Sequence, residues 1–253
     1  GVHEMGHYFY AKKHNLSSSL PFFIPLPPPL ILGTMGAFIS IREPIPNRKA
    51  LFDVGVSGPI AGFIIAIPIT LLGFFLTEMV KAPVPEDTGS VYYLGTPIIF
   101  NWLLLIANQI MPLSGAYLTH PVAFAGWAGF LVTAINLFPA GQLDGGHISR
   151  ALLGNNSKYF SYITMAVLFF LGFVGIPGVV PPYLGWAIFG VLIFFLGVFH
   201  PPPSEEITTL NFNRKAVGVF SVLMLIICFV PSPLIPGESP FDISIESSTS
   251  EVT

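Results

Sequence analysis

Residues 3–7 read His-Glu-Met-Gly-His. On a helix, His3 and His7 lie about 40° apart around the axis and one turn along it, so both imidazoles can face one ion. Glu4 falls beside them, placed to work on a bound water without being a ligand. This is the H-E-x-x-H arrangement of hydrolytic zinc sites. Such a site takes a third protein ligand and keeps one position open. His14 shares the helical face of His7 but lies about 10 Å further along the axis, out of reach of the same ion.

The third ligand is sought in Asn136–His147, "NLFPAGQLDGGH". Asn136 ends an apolar run, Pro139 and Gly141 break the helix, and Asp144 follows on a turn. Gly145 and Gly146 would let backbone and metal approach closely. Alone, Asp144 also reads as the cap of a helix over "HISRALLG"; paired with the first motif, it reads as a ligand. His147 competes for the third position, and also reads as a supporting partner or a helix-face residue. His120 and His200, each before a proline, read as interfacial histidines, and Cys228 as a small packing residue.

The elements that must position these groups are strongly apolar. Hydrophobic residues make up 53% of the 253, charged ones only 9%, and the mean hydropathy is +0.74. Soluble domains carry about a quarter charged residues. A net charge of −3 without a basic stripe excludes nucleic acid as a partner. A single cysteine excludes an internal disulfide framework. Apolar runs at 54–79, 121–138, 158–175, 183–199 and 215–231 each approach the length a bilayer needs. Residues 97–111 are shorter and carry Asn101, Asn108 and Gln109, as expected of an interfacial or partly inserted helix. Between Leu16 and Ile41 the chain is apolar but crowded with proline, which a spanning helix does not tolerate. A re-entrant loop is expected there, ending in a strand-like stretch at Ala37, Phe38, Ile39, Ser40 and Ile41.

The expected fold is therefore an all-α polytopic membrane protein, a helical transmembrane bundle with a short re-entrant β-like loop. A helix from Gly1 to Asn15 is about 20 Å long, less than a hydrocarbon core of about 30 Å. The chain is accordingly read as an N-terminally truncated fragment. If the spans alternate, one side receives Lys12, Lys13, Arg42, Arg48, Lys49, Arg150, Lys158, Arg214 and Lys215. The other receives Lys81 with Glu78, Glu86, Asp87 and an acidic tail. The basic side is expected to be cytoplasmic, with the protein in the cell membrane.

"HEMGH" in a membrane helix, "GPIAG" in the next span and "NLFPAGQLDGG" two spans later resemble the site-2 protease family of intramembrane zinc metalloproteases. Asn136, Pro139, Leu143, Asp144 and Gly145 match that family's N-x-x-P-x-x-x-L-D-G pattern. The resemblance covers about residues 1–155. It implies that His3, His7 and Asp144 bind one Zn²⁺, that Glu4 is the general base, and that Asn136 positions the substrate or its oxyanion. Many members carry Asn where Gly62 stands, and no long insertion resembling a PDZ domain is present.

The domain reading that follows is a metalloprotease core at 1–157, further transmembrane helices at 158–231 and a disordered acidic tail at 232–253. Partners are transmembrane protein substrates and the lipid bilayer. A helical substrate must be unwound before its peptide bond can be attacked, and residues 37–41 are the candidate edge strand to pair with it. The alternative for that stretch is a packed loop that only plugs the site. Rival readings of the whole chain are a metal-binding transporter and an inactive protease-like scaffold.

Overall fold

A computed structural model describes residues 1–25, 34–41, 43–80, 92–110, 119–198 and 200–236. Among them the helices are α1 (Val2–Lys13), α2 (Arg48–Val80), α3 (Ile98–Ile110), α4 (Pro121–Leu137), α5 (Asp144–Leu153), α6 (Ser157–Phe173), α7 (Leu184–Leu196) and α8 (Phe212–Cys228). The strands are β1 (Phe22–Pro25), β2 (Thr34–Phe38), β3 (Tyr92–Leu94) and β4 (Leu234–Pro236). Each apolar run picked out from the sequence is a helix, and 97–111 holds α3.

The helix ends follow from local chemistry. Asn15 takes the left-handed φ of 57°. Its N–H donates to Lys12 O at 3.0 Å, and the Leu16 N–H donates to Ala11 O at 2.9 Å. That pair of bonds closes α1, and Leu16 folds back onto Ala11 and Val54. Asn47 opens α2 by accepting the Ala50 N–H at 3.0 Å, and Asn211 opens α8 by accepting the Arg214 N–H at 3.2 Å. His120 accepts the Val122 N–H at 3.2 Å ahead of Pro121, so this expected interfacial histidine is a helix cap.

α2 is the hub, with α1, α4, α5 and α8 packed along it. Leu51, Phe52, Val56 and Phe63 of α2 share one core with Trp127 and Phe130 of α4 and Met224 and Cys228 of α8. A second cluster of Phe138, Leu168, Leu171, Trp186 and Ile193 joins α6 and α7 to the end of α4. The outer faces are apolar too: Phe173 is 64% exposed, Phe194 63% and Phe195 79%. Arg48–Thr77 of α2 is long and apolar enough to cross a membrane, and α3, α4 and most of α7 are shorter apolar helices.

At one end the polar residues interlock. Arg48 donates to Ala151 O at 2.7 Å and Leu152 O at 3.0 Å, and Arg150 pairs with Glu206. Arg214 grips both oxygens of Asp53 at 2.8 and 2.7 Å, and His14 Nε2 meets the same carboxylate at 2.9 Å. Arg48, Arg150 and Arg214, three of the residues expected on the basic side, are all engaged in these contacts.

The strands correct two expectations. β1 and β2 pair antiparallel through Phe22↔Phe38, Phe23↔Ala37 and Pro25↔Thr34, so the strand covers 34–38 rather than 37–41. Ala37 and Phe38 belong to it, Ile39 and Ser40 do not, and Ile41 makes an isolated bridge to Ser18. The interruption has a cause. The Ser40 N–H donates to the Ser19 hydroxyl at 3.0 Å while the Ser19 N–H donates to Ser40 O at 3.0 Å, so a side chain replaces one ladder partner. The proline-rich turn at 26–33 lies outside the described residues. The second correction concerns the tail expected to be disordered from Ser232. Ser232 Oγ donates to Pro181 O at 3.0 Å, and Leu234–Pro236 pairs with Tyr92–Leu94. Residues 237–253 lie outside the described residues.

Candidate metal centre

Two helices bring three side chains to one point. α1 brings His3 and His7, one turn apart, and the first turn of α5 brings Asp144. His7 Nδ1 lies 2.8 Å from Val54 O. A carbonyl only accepts, so Nδ1 carries the proton and Nε2 presents a bare lone pair. That Nε2 is 3.0 Å from His3 Nε2 and 3.2 Å from Asp144 Oδ1, and His3 Nε2 is 3.0 Å from Asp144 Oδ2.

The donor set fits zinc. Two imidazole nitrogens and a carboxylate are its usual protein ligands, with bonds of about 2.0–2.2 Å; the edges of such a tetrahedron are about 3.3–3.6 Å. The observed separations, 3.0 to 3.2 Å, are slightly shorter than those edges. Asp144 Oδ2 and His3 Nδ1 are buried without a hydrogen-bond partner. A buried carboxylate facing two imidazole nitrogens at 3.0 and 3.2 Å is an arrangement that a cation would complete. Among the described residues, His3, His7 and Asp144 form the one group able to hold a metal in this way. Glu4 Oε1 sits 3.9 Å from His3 Nε2, beside the donors.

Local sequence explains the approach of the elements. A Cβ on Gly58 would lie 2.1 Å from His7 Nε2, so glycine is what lets the ring lie against α2. Pro139 and Gly141 turn the chain after α4, and α5 tucks under that turn. A Cβ on Gly145 would meet Leu137 O at 2.1 Å, and one on Gly146 would meet Gly141 O at 2.2 Å. Asp144 is the first residue of α5 and not its cap, which is Leu143. Its carboxylate faces the histidines and also benefits from the positive end of the helix.

The remaining candidates sort themselves by contact. His147 lies outside the donor group; its Nδ1 approaches Leu143 O at 3.0 Å and its ring stacks edge-on with His200 at 4.2 Å. Burial holds the His200 pKa down to about 4, so that ring is neutral near pH 7 and packs beside His147 without repulsion. His14 is engaged with Asp53 and lies outside the donor group. Asn136 donates from Nδ2 to Val132 O at 3.1 Å, within its own helix. A groove of about 680 Å³ opens on the neighbouring flank of α1, between Phe9, Tyr10, Ile60 and Arg214, and none of the three donors lines it.

Two features, one at the centre and one beyond it, were not found from the sequence. The Val54 carbonyl is a backbone group with no signature. The Asp53–Arg214–His14 cluster did have one: Asp53 is a lone acid immediately before the apolar run 54–79, where ionisable groups are costly.

Comparison with known proteins agrees with the geometry. The sequence model of Peptidase family M50 matches residues 1–174. The chain is 33% identical to "Probable zinc metalloprotease EGY2, chloroplastic" of Oryza sativa subsp. indica, over 96% of this chain and 42% of that protein. It is 29% identical to the Arabidopsis thaliana protein of the same name, over 92% of this chain and 40% of the relative. With "Probable zinc metalloprotease EGY1, chloroplastic" of Oryza sativa subsp. japonica it shares 26% identity, over 90% and 38%. The chain thus spans about two fifths of these relatives' length. No solved structure matches.

Proposed function

We propose that this chain, which belongs to Peptidase family M50, is a zinc metalloprotease that hydrolyses peptide bonds within or near transmembrane segments of membrane proteins. The observation that carries the reading is the convergence of His3 Nε2, His7 Nε2 and the Asp144 carboxylate, with the Glu4 carboxylate 3.9 Å from His3 Nε2. Zn²⁺ held by such a set supplies a Lewis acid and brings the pKa of water down to about 7.

The chain's own residues do the rest. Glu4 takes the proton of the attacking water and delivers it to the leaving amine. Val54 O, accepting the Nδ1 proton, holds His7 in one tautomer and one orientation. Asn136 positions the substrate or its oxyanion, and to do so its amide exchanges Val132 O for the substrate. The outer edge of β2, the strand already paired with β1 on its other side, takes the unwound substrate as a further strand.

The apolar outer faces and the five apolar sequence runs support a multi-pass arrangement in a bilayer, with water reaching the site from the basic end. That end faces the cytoplasm in a cell membrane, or the corresponding compartment in an organelle. The relatives' names place those proteins in chloroplasts.

Glu4→Gln tests the reading, since it removes the base while nearly preserving shape. The variant should keep its zinc and lose about 10²–10⁴-fold in cleavage of a transmembrane substrate reconstituted with it. A zinc-loaded Glu4→Gln protein that cuts at a near-normal rate overturns the mechanism. Zinc flux into vesicles without any cleavage by the unaltered chain would identify a transporter, and zinc binding with neither activity a scaffold.

A further inference from the structure

His3 is anchored differently from His7. The His7 ring proton goes to Val54 O, but His3 Nδ1 is buried with no protein partner. On the zinc reading of the site, His3 Nε2 gives its lone pair to the ion, so Nδ1 carries the proton and needs an acceptor.

The space beside it is defined by Gly62 on α2. A Cβ at that position would sit 3.5 Å from His3 Nδ1 and 3.6 Å from Thr133 Oγ1 on α4. The missing side chain therefore leaves a notch between a ring donor and a hydroxyl. Thr133 is buried, and its hydroxyl proton goes to Gly129 O at 2.8 Å. The Oγ1 lone pairs remain as acceptors.

We infer that one buried water sits over Gly62 and bridges His3 Nδ1 to Thr133 Oγ1, which makes Thr133 a positioning residue for His3. The gap offers two polar partners of opposite role, the least number that holds a buried water. Hydrogen-bond directions then run one way only, from His3 N–H to water, from water to Thr133, and from Thr133 to Gly129 O. Such a chain fixes the ring's tautomer and makes Nε2 a better ligand.

The test is zinc affinity, measured by chelator competition on the purified full chain. Thr133→Val removes the acceptor at nearly constant shape and should weaken zinc about 10- to 100-fold, the range for outer partners of metal-bound histidine. Thr133→Ser keeps the hydroxyl and should bind as the unaltered chain does. Gly62→Ala meets only ordinary contacts, yet its methyl displaces the water, so the same fall is expected. The double variant Gly62→Ala/Thr133→Val should be no weaker than either single one, because both remove one water.

Unchanged affinity in Thr133→Val and Gly62→Ala overturns the bridge. So do equal losses in Thr133→Val and Thr133→Ser, or losses that multiply in the double variant. Failure of the zinc reading gives a different pattern, in which His3→Ala holds zinc as tightly as the unaltered chain.

Discussion

Replacing Gly58 with alanine adds one methyl group where α2 meets the His7 ring. Its Cβ would lie 2.1 Å from Nε2 and 2.6 Å from both Cδ2 and Cε1. Comfortable contact needs about 3.5 Å, so the ring must retreat by about 1.4 Å from its 2.1 Å approach. It cannot rotate away without giving up the 2.8 Å bond to Val54 O. Metal–ligand distances tolerate shifts of only about 0.2 Å, so the displacement is several times what the site can absorb. Loss of an outer partner alone costs about 10- to 100-fold in metal affinity. Displacing the ligand itself should cost more than 100-fold on the same scale, and cleavage should fall with zinc occupancy. The helix has no reason to suffer, since alanine in a helix interior is favoured over glycine by about 0.5–1 kcal/mol. Metal content and chelator competition, read beside the thermal midpoint in detergent, separate the two effects. A Gly58→Ala protein with normal zinc affinity and normal cleavage would refute the close approach of His7 to α2 and the account of the centre built on it.

His147→Ala should leave zinc content nearly unchanged, because the ring packs on His200 and lies outside the donor group; zinc lost in that variant but kept in Asp144→Ala would reverse the assignment. Proline placed in turn at positions 34 to 38 removes one backbone donor at a time. At one or more of them cleavage of a helical substrate should drop while a short extended peptide is still cut; equal losses on both substrates throughout would remove the strand-pairing role. Cysteines at Asn156 and Thr96, both exposed, should be labelled by an impermeant reagent from opposite sides of a sealed membrane, with the buried Cys228 silent. Labelling of both from the same side would mean the chain crosses the bilayer differently.

The helices were legible because an apolar run has few other uses in a chain with so little charge. His3, Glu4 and His7 were legible because one turn of helix fixes their relation. Asp144 was legible only through them, since its position at the start of α5 is also where a capping residue belongs. β2 was displaced by three residues because the Ser19 hydroxyl takes a place in the ladder, an exchange that no β-propensity describes. β4 was read as disorder because Leu234 and Ile235 are hemmed in by Pro231, Pro233 and Pro236. Its order comes from Tyr92–Leu94, far away in the sequence. The Asn136 role came from family resemblance alone, and its bond to Val132 O shows a side chain at rest in its own helix.

The pairing of β3 with β4 also governs the order in which this chain can be assembled. Residues 92–94 leave the ribosome long before 234–236, and the slot that Met224 and Cys228 fill between α2 and α4 stays open as long. The three candidate donors are all made by residue 144, so they can meet while the scaffold around them is still incomplete. Closing such distant contacts is slow, and the unpaired strand is exposed to wrong partners in the interval. A ribosome arrested just after α7 would therefore hold a chain with His3, His7 and Asp144 already made and its longest-range contacts unmade.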